Sequence, residues 1–226
     1  MWIDASWVSL VVLVLAVLLG AVAHFLGRRV ALGVGAVLVG WLALTAALGA
    51  HGLLGAPRFL VLPATTLTAL VVLSRTAALR RLRDVLPPHW PPLAQSFRVG
   101  VELLLFALFV AGRAPEQVTF EGRNADVLVG LTGPLVAWLV ASGRLSARGL
   151  VAWNVASLAV LLNTVLTVAS SAPGPLRLDW GGAPFAELTG WPLVWLPAFL
   201  VPVAVFLHVL SLRQALSLLR RAPSWT

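Results

Sequence analysis

Gln95, Arg98 and Glu102 stand at i, i+3 and i+7 within an apolar run, so a helix through them carries all three on one face. An ionisable group at the centre of a membrane helix costs about 2.5–3.5 kcal/mol on insertion scales, and such groups turn towards a bundle interior or a water-filled cavity. Arg98 and Glu102 are also i, i+4 neighbours. Two expectations follow: a self-neutralising pair with a structural task, or a charged centre that binds a substrate, an ion or a proton. Pro197, Val201, Ala204, His208 and Ser211 form a second stripe, small and polar in an otherwise bulky helix. A contact between His208 and Glu102 would make a proton-responsive pair; the alternative is an imidazole bonded to a backbone carbonyl. The substrate- or ion-binding set is thus Arg98, Glu102, His208 and Gln95, with no catalytic residue singled out.

Other polar groups lie nearer the ends of the apolar runs. Thr119-Phe120-Glu121-Gly122-Arg123-Asn124 leads into Asp126, which shares a small-residue face with Gly130, Gly133 and Ala137. Glu121, Arg123, Asn124 and Asp126 are expected either as an outer entrance for a ligand or ion, or as the capped, salt-bridged start of a helix. Ala16, Gly20 and His24 recur every fourth residue, a spacing that lets helices approach closely and turns His24 towards a neighbour. Two imidazoles can hold haem iron axially, so a haem b between His24 and His208 is the alternative to no cofactor. No metal site is expected, because the chain has no cysteine, no i, i+4 ligand pair exists, and His51 and His89 fall at opposite ends of the runs. Asn154 and Asn163 lie nine residues apart, on opposite faces of one helix.

These groups must be held by helices that lipid surrounds. Of 226 residues 60% are hydrophobic and 11% charged, against about 45–50% apolar and about 25% charged in soluble domains. Apolar runs near the roughly 20 residues of a bilayer-crossing helix span Ala5 to Leu26, Val30 to Leu48, Phe59 to Ser74, Leu93 to Gly112, Asp126 to Ser142, Leu150 to Ala169, and Pro192 to Leu212. The expected fold is all-α, one polytopic domain over residues 1–226 with seven transmembrane helices. The third run is short, and Thr76 to Leu86 can carry its helix onward. Pro87-Pro88-His89-Trp90-Pro91-Pro92 reads as a stiff, non-helical turn, and Ser170 to Trp191 as an external loop that caps the bundle.

Orientation follows from arginine, the only basic residue type besides histidine. With the N-terminus outside and the C-terminus cytoplasmic, Arg28, Arg29, Arg75, Arg80, Arg81, Arg83, Arg144, Arg148, Arg213, Arg220 and Arg221 gather inside, and Arg58, Arg113, Arg123 and Arg177 outside, as the positive-inside rule requires. Trp2, Trp7, Trp180, Trp191 and Trp195 fall at the outer interface, with Trp90 and Trp225 at the inner one, as an aromatic belt. The location implied is a cell membrane of bacterial inner-membrane type.

The net charge of +8 sits at span ends, so nucleic acid is excluded as a partner and anionic lipid at the cytoplasmic rim is expected. A homo-oligomer or a partner in a complex remains open. The chain has no Lys, hence no retinal Schiff base, and no phosphate loop, HExxH helix or GxSxG elbow. Gln95-Ser-Phe-Arg98-Val-Gly-Val-Glu102, with Thr119-Phe-Glu121-Gly-Arg123-Asn124-Ala-Asp126 and the segment from His208 to Gln214, resembles a group of uncharacterised bacterial integral membrane proteins, over spans four to seven. The resemblance implies no activity. Three functions remain: a small-solute, ion or proton pathway centred on a buried Arg/Glu pair; a non-catalytic subunit or seven-helix sensor; and an intramembrane lipid-modifying enzyme.

Overall fold

The computed structural model describes residues 2–55, 58 and 61–221. The expected start of the third run at Phe59 and the belt position of Trp225 lie outside the described residues. The helices are α1 (Trp2–Leu26), α2 (Arg28–Ala50), α3 (Val61–Ser74), α4 (Ala77–Val85), α5 (Trp90–Ala94), α6 (Phe97–Val110), α7 (Asp126–Ala141), α8 (Ala147–Ser171) and α9 (Val201–Arg221), with no strand among the described residues. Among the described residues, five segments are long and apolar enough to cross a membrane: α1, α2, the α5–α6 pair over Trp90–Val110, α8, and Leu196–Arg220. Asp126–Ala141 is a shorter apolar helix.

α9 is the axis. It packs along α8, and α5, α3 and α4 close around it, while α1 lies against α2 and α6, and α7 fits between α5–α6 and α8. The polarity is inverted relative to a soluble protein. Arg98, Glu102, Asp126, His208 and four neutral amide side chains are buried, whereas Leu13, Leu32, Val37, Leu103, Leu131 and Leu162 are exposed. Such a surface suits hydrocarbon as solvent.

α1 buries Ile3, Trp7, Val11 and Val14, a stripe with helical spacing. The Ala16–Gly20–His24 stripe is instead exposed, because the other face meets α2 and α6. Trp7 is fully buried and belongs to the core, not to an interfacial belt. Trp2 and Trp191 are exposed. A single residue joins α1 to α2: Gly27, whose φ of 95° a side chain would strain.

α4 does not extend α3. Thr76 takes an extended conformation and its hydroxyl accepts from Leu79 N–H at 3.3 Å, an N-cap that starts a new helix. α4 buries Leu79 and Leu82 and keeps Arg80 and Arg81 exposed. Pro91 and Pro92 do not block helix formation either. They occupy the first turn of α5, where a missing N–H costs nothing. Before α9, Leu196–Leu200 is a π-helical turn that contains Pro197, and Pro202 follows it; neither proline can donate a backbone hydrogen bond. Indole N–H groups reach backbone carbonyls here: Trp41 donates to Ala198 O at 2.9 Å, and Trp195 to Leu42 O at 3.0 Å. The segment between α8 and α9 caps one end, with Phe185 and Leu188 buried in the main core.

Candidate functional site

Two glycines decide where the site forms. A Cβ on Gly130 would lie 2.8 Å from Val99 N, and one on Gly133 would lie 2.6 Å from Pro92 O. Only glycine lets α7 approach α5–α6 so closely. That approach places Asp126, one turn before Gly130, beside Arg98.

Arg98 grips Asp126 bidentately, Nε donating to Oδ2 and Nη2 to Oδ1. Its Nη1 donates to His208 Nε2 at 3.1 Å. Because guanidinium nitrogens only donate, Nε2 must be the accepting nitrogen. His208 Nδ1–H therefore donates to Asn154 Oδ1, at 2.8 Å, and Asn154 Nδ2 donates to Ser211 Oγ at 2.9 Å and to Leu150 O at 2.8 Å. On the other side, Asn124 Oδ1 accepts from Asp126 N at 3.1 Å and from Thr164 Oγ1 at 2.6 Å. Asn124 Nδ2 donates to Glu102 Oε1 at 2.7 Å and to Val118 O at 3.0 Å.

The result is a continuous polar chain, Glu102–Asn124–Asp126–Arg98–His208–Asn154–Ser211, drawn from α6, the α6–α7 segment, α7, α9 and α8. Its members are 0–4% exposed. Asp126, at the first residue of α7, also faces the positive end of that helix. Within the chain the carboxylate oxygen Glu102 Oε2 has no hydrogen-bond partner. Gln95 joins α5–α6 to the axis, its Nε2 donating to Ala204 O at 3.1 Å, while its Oε1 is unpartnered.

The expected residues regroup. Arg98, Glu102, His208 and Gln95 are all buried near one another, but the ion pair is Arg98–Asp126 and not Arg98–Glu102. Glu102 and His208 do not touch, since Arg98 stands between Glu102's neighbours and the imidazole. The outer set divides: Asn124 and Asp126 are core residues, whereas Glu121 and Arg123 are exposed, Arg123 stacking on Trp180 at 4.8 Å. The physical reason is that the segment after α6 folds back. Glu102 lies eight residues before Val110, about 12 Å at 1.5 Å per residue, and Asn124 meets it there. His24 is exposed while His208 is enclosed with both ring nitrogens engaged, so the two imidazoles do not face a shared space and His208 offers iron no free lone pair. Asn163 lies outside the site, donating to Arg123 O at 2.7 Å.

Asn154 and Thr164 are site residues that spacing alone did not single out. Asp126 did carry a signal, since it shares the Gly130–Gly133 face that packs on α5–α6.

A second ionic group closes one end of the bundle. Arg113 donates to Asp4 Oδ1 at 2.8 Å and to Glu187 Oε2 at 2.7 Å, tying α1 to the α6–α7 and α8–α9 segments. Hydrogen bonding to Glu187 first, and to Asp4 second, raises the Arg113 pKa further above its ordinary value.

The model of a protein family described as a domain of unknown function (DUF8737) matches residues 55–216. No curated protein and no solved structure matches the chain.

Proposed function

Because the chain belongs to the DUF8737 family, whose matched span contains every residue of the buried polar chain, we propose that this chain is the working part of an integral membrane protein, with Glu102 as a proton site. Seven crossings fit the arginine distribution, with α3 and α7 as short members beside the five long spans, the N-terminus outside and the C-terminus cytoplasmic, in a bacterial inner membrane. The shortness of α7 is consistent with this, because the folded-back α6–α7 segment occupies the rest of that crossing.

The observation that carries the reading is the unpartnered Glu102 Oε2 at zero exposure. A proton can enter or leave there without breaking any hydrogen bond. The same event at Asp126 or His208 would displace a bond from Arg98. The groups around Glu102 are Arg98 on its own helix, Asn124 from the folded-back segment, and Asp126, Thr164 and His208 beyond them on α7, α8 and α9. Asn124 connects the site to the segment that lines an outer cavity of about 350 Å³ beside Arg113, Glu116 and Trp180.

A sensor or regulatory subunit fits this geometry better than a solute or proton pathway. The fixed guanidinium of Arg98 in mid-chain opposes passage of a proton or cation beyond it, and the cavities between α1 and α6 and at the outer loops are both lined by other residues. A lipid-modifying enzyme would need a reacting group on a lateral opening, and both Glu102 and His208 are enclosed.

Infrared difference spectra of the reconstituted protein between acidic and alkaline pH test the proposal. The wild type should show a protonated-carboxyl C=O band that Glu102→Gln lacks while keeping its helical amide bands. A band unchanged by the substitution would end the reading.

A further inference from the structure

Between α1 and α5–α6 a groove of about 420 Å³ opens at the side of the bundle, lined by Leu13, Val17, Trp90, Ser96, Gly100 and Leu207 among others. Its volume lies within the roughly 300–1,000 Å³ of small-molecule sites. Its walls are almost wholly aliphatic or aromatic. Leu13 and Leu93 on its rim are exposed on the flank of the bundle, the face that meets acyl chains in a membrane. α1 touches α6 closely at Gly100, in the groove wall, where a Cβ would lie 3.1 Å from Leu10 Cδ1.

One end of the groove is electrostatically distinct. Trp90 lines it and also packs against the Leu79–Leu82–Leu86 cluster under α4, with its ring 6.3 Å from Phe25. α4 therefore lies across this mouth, apolar face down, and carries Arg80, Arg81 and Arg83. Arg28 and Arg29 follow the last turn of α1 at the same end. Arg28, Arg29 and Arg81 are exposed and make no ion pair among the described residues. Ser96, in the break between α5 and α6, is exposed and leaves a hydroxyl in the groove wall. An apolar slot with a hydroxyl in its wall and the unpaired guanidinium groups of Arg28, Arg29 and Arg81 at one end, with Arg83 held by Asp84 at 2.7 Å, match an acyl chain, a glycerol ester and a phosphate.

We infer that this groove is a binding site for one anionic phospholipid, its acyl chain between α1 and α6 and its phosphate beneath the arginines of α4. The inference rests on the membrane reading above but not on the proton site. It differs from general attraction to an acidic leaflet in requiring both the slot and the charges. A zwitterionic lipid supplies the chain without net charge, and glycerol phosphate supplies the charge without a chain. Neither fills the site.

Native mass spectrometry of delipidated protein in detergent, titrated with phosphatidylglycerol, phosphatidylcholine or glycerol phosphate, tests it. One phosphatidylglycerol should bind several-fold more tightly than phosphatidylcholine, and glycerol phosphate should not bind. Arg81→Gln should weaken the phosphatidylglycerol adduct about fivefold, and Arg80→Gln/Arg81→Gln more, at about 1 kcal/mol per basic residue. Leu13→Trp, which fills the slot from an exposed position and leaves the core untouched, should abolish the first adduct and retain the melting temperature. Equal binding of both lipids, or selective binding that survives both the arginine and the slot variants, overturns the inference. Either result leaves the infrared test of Glu102 unaffected.

Discussion

Arg98 and Asp126 stand 28 residues apart and meet through two guanidinium nitrogens and two carboxylate oxygens, with side chains 1% and 6% exposed. A pair so enclosed is costly to break and less costly to replace, because removing one partner strands the other's charge.

Asp126→Asn or Arg98→Gln alone should therefore destabilise the bundle by about 3–5 kcal/mol. Arg98→Leu/Asp126→Leu should lose less than the sum of the single leucine variants. Thermal unfolding in one detergent, followed by tryptophan fluorescence, measures the coupling. Additive losses would mean that the pair is not a unit.

Asn124→Leu removes the donor to Glu102 and the acceptor for Thr164 and Asp126 N–H together. The expected loss is on the order of 1–3 kcal/mol for each buried group left unpaired. Thr164→Val should cost less, since it removes a single donor to Asn124. Chemical or thermal melts of the two variants rank them, and the reverse order would place the centre of the network elsewhere.

Gly130→Ala and Gly133→Ala push a methyl into the backbone of Val99 and Pro92, and overpacking of this kind costs about 1–3 kcal/mol. Gly20→Ala and Gly33→Ala meet nothing within 4 Å and should be neutral or mildly stabilising. Melting temperatures of the four variants separate the two classes.

At the end of the bundle closed by the second ionic group, Arg113 keeps its charge to higher pH than a free arginine because Glu187 and Asp4 hold it. A group whose folded pKa is raised contributes stability that is complete below its unfolded value and is lost only as pH rises through the folded one. That window lies above any ordinary buffer, so raising the pH to about 10 should leave this link intact. With partner side chains 25% and 41% exposed, the pairs are worth about 0–1 kcal/mol each and should weaken with salt. Arg113→Gln should thus lower stability slightly, with the difference from wild type shrinking as ionic strength rises.

The absence of cysteine makes the orientation directly testable. In intact cells an impermeant maleimide should label Asp179→Cys, and it should label Arg148→Cys only after permeabilisation. The opposite pattern would invert the proposed topology.

Part of the site was legible because periodicity survives without coordinates. Arg98, Glu102 and Gln95 share a helical face by spacing alone, and His208 and Ser211 share another, and all five are buried. Asp126 was visible as the head of a glycine-rich packing face. Its partner was not, because pairing across 28 residues depends on how far the chain returns after α6, and no local pattern encodes that depth. His24 failed for a similar reason: a small-residue stripe shows where a helix can pack, but not whether another helix arrives there.

Composition and hydropathy determined by themselves that the chain is helical with several membrane-length apolar segments, because continuous apolar runs of about 20 residues fit a helix that satisfies its own backbone amides in lipid, whereas a barrel strand is about half as long and alternates in polarity. The tertiary structure decided which charges meet. Two glycines admit α7 against α5–α6, and the segment before α7 turns inward and carries Asn124 to Glu102. Those contacts join residues distant in sequence through steric fit and low-dielectric electrostatics, and both are properties of the assembled bundle rather than of any one helix.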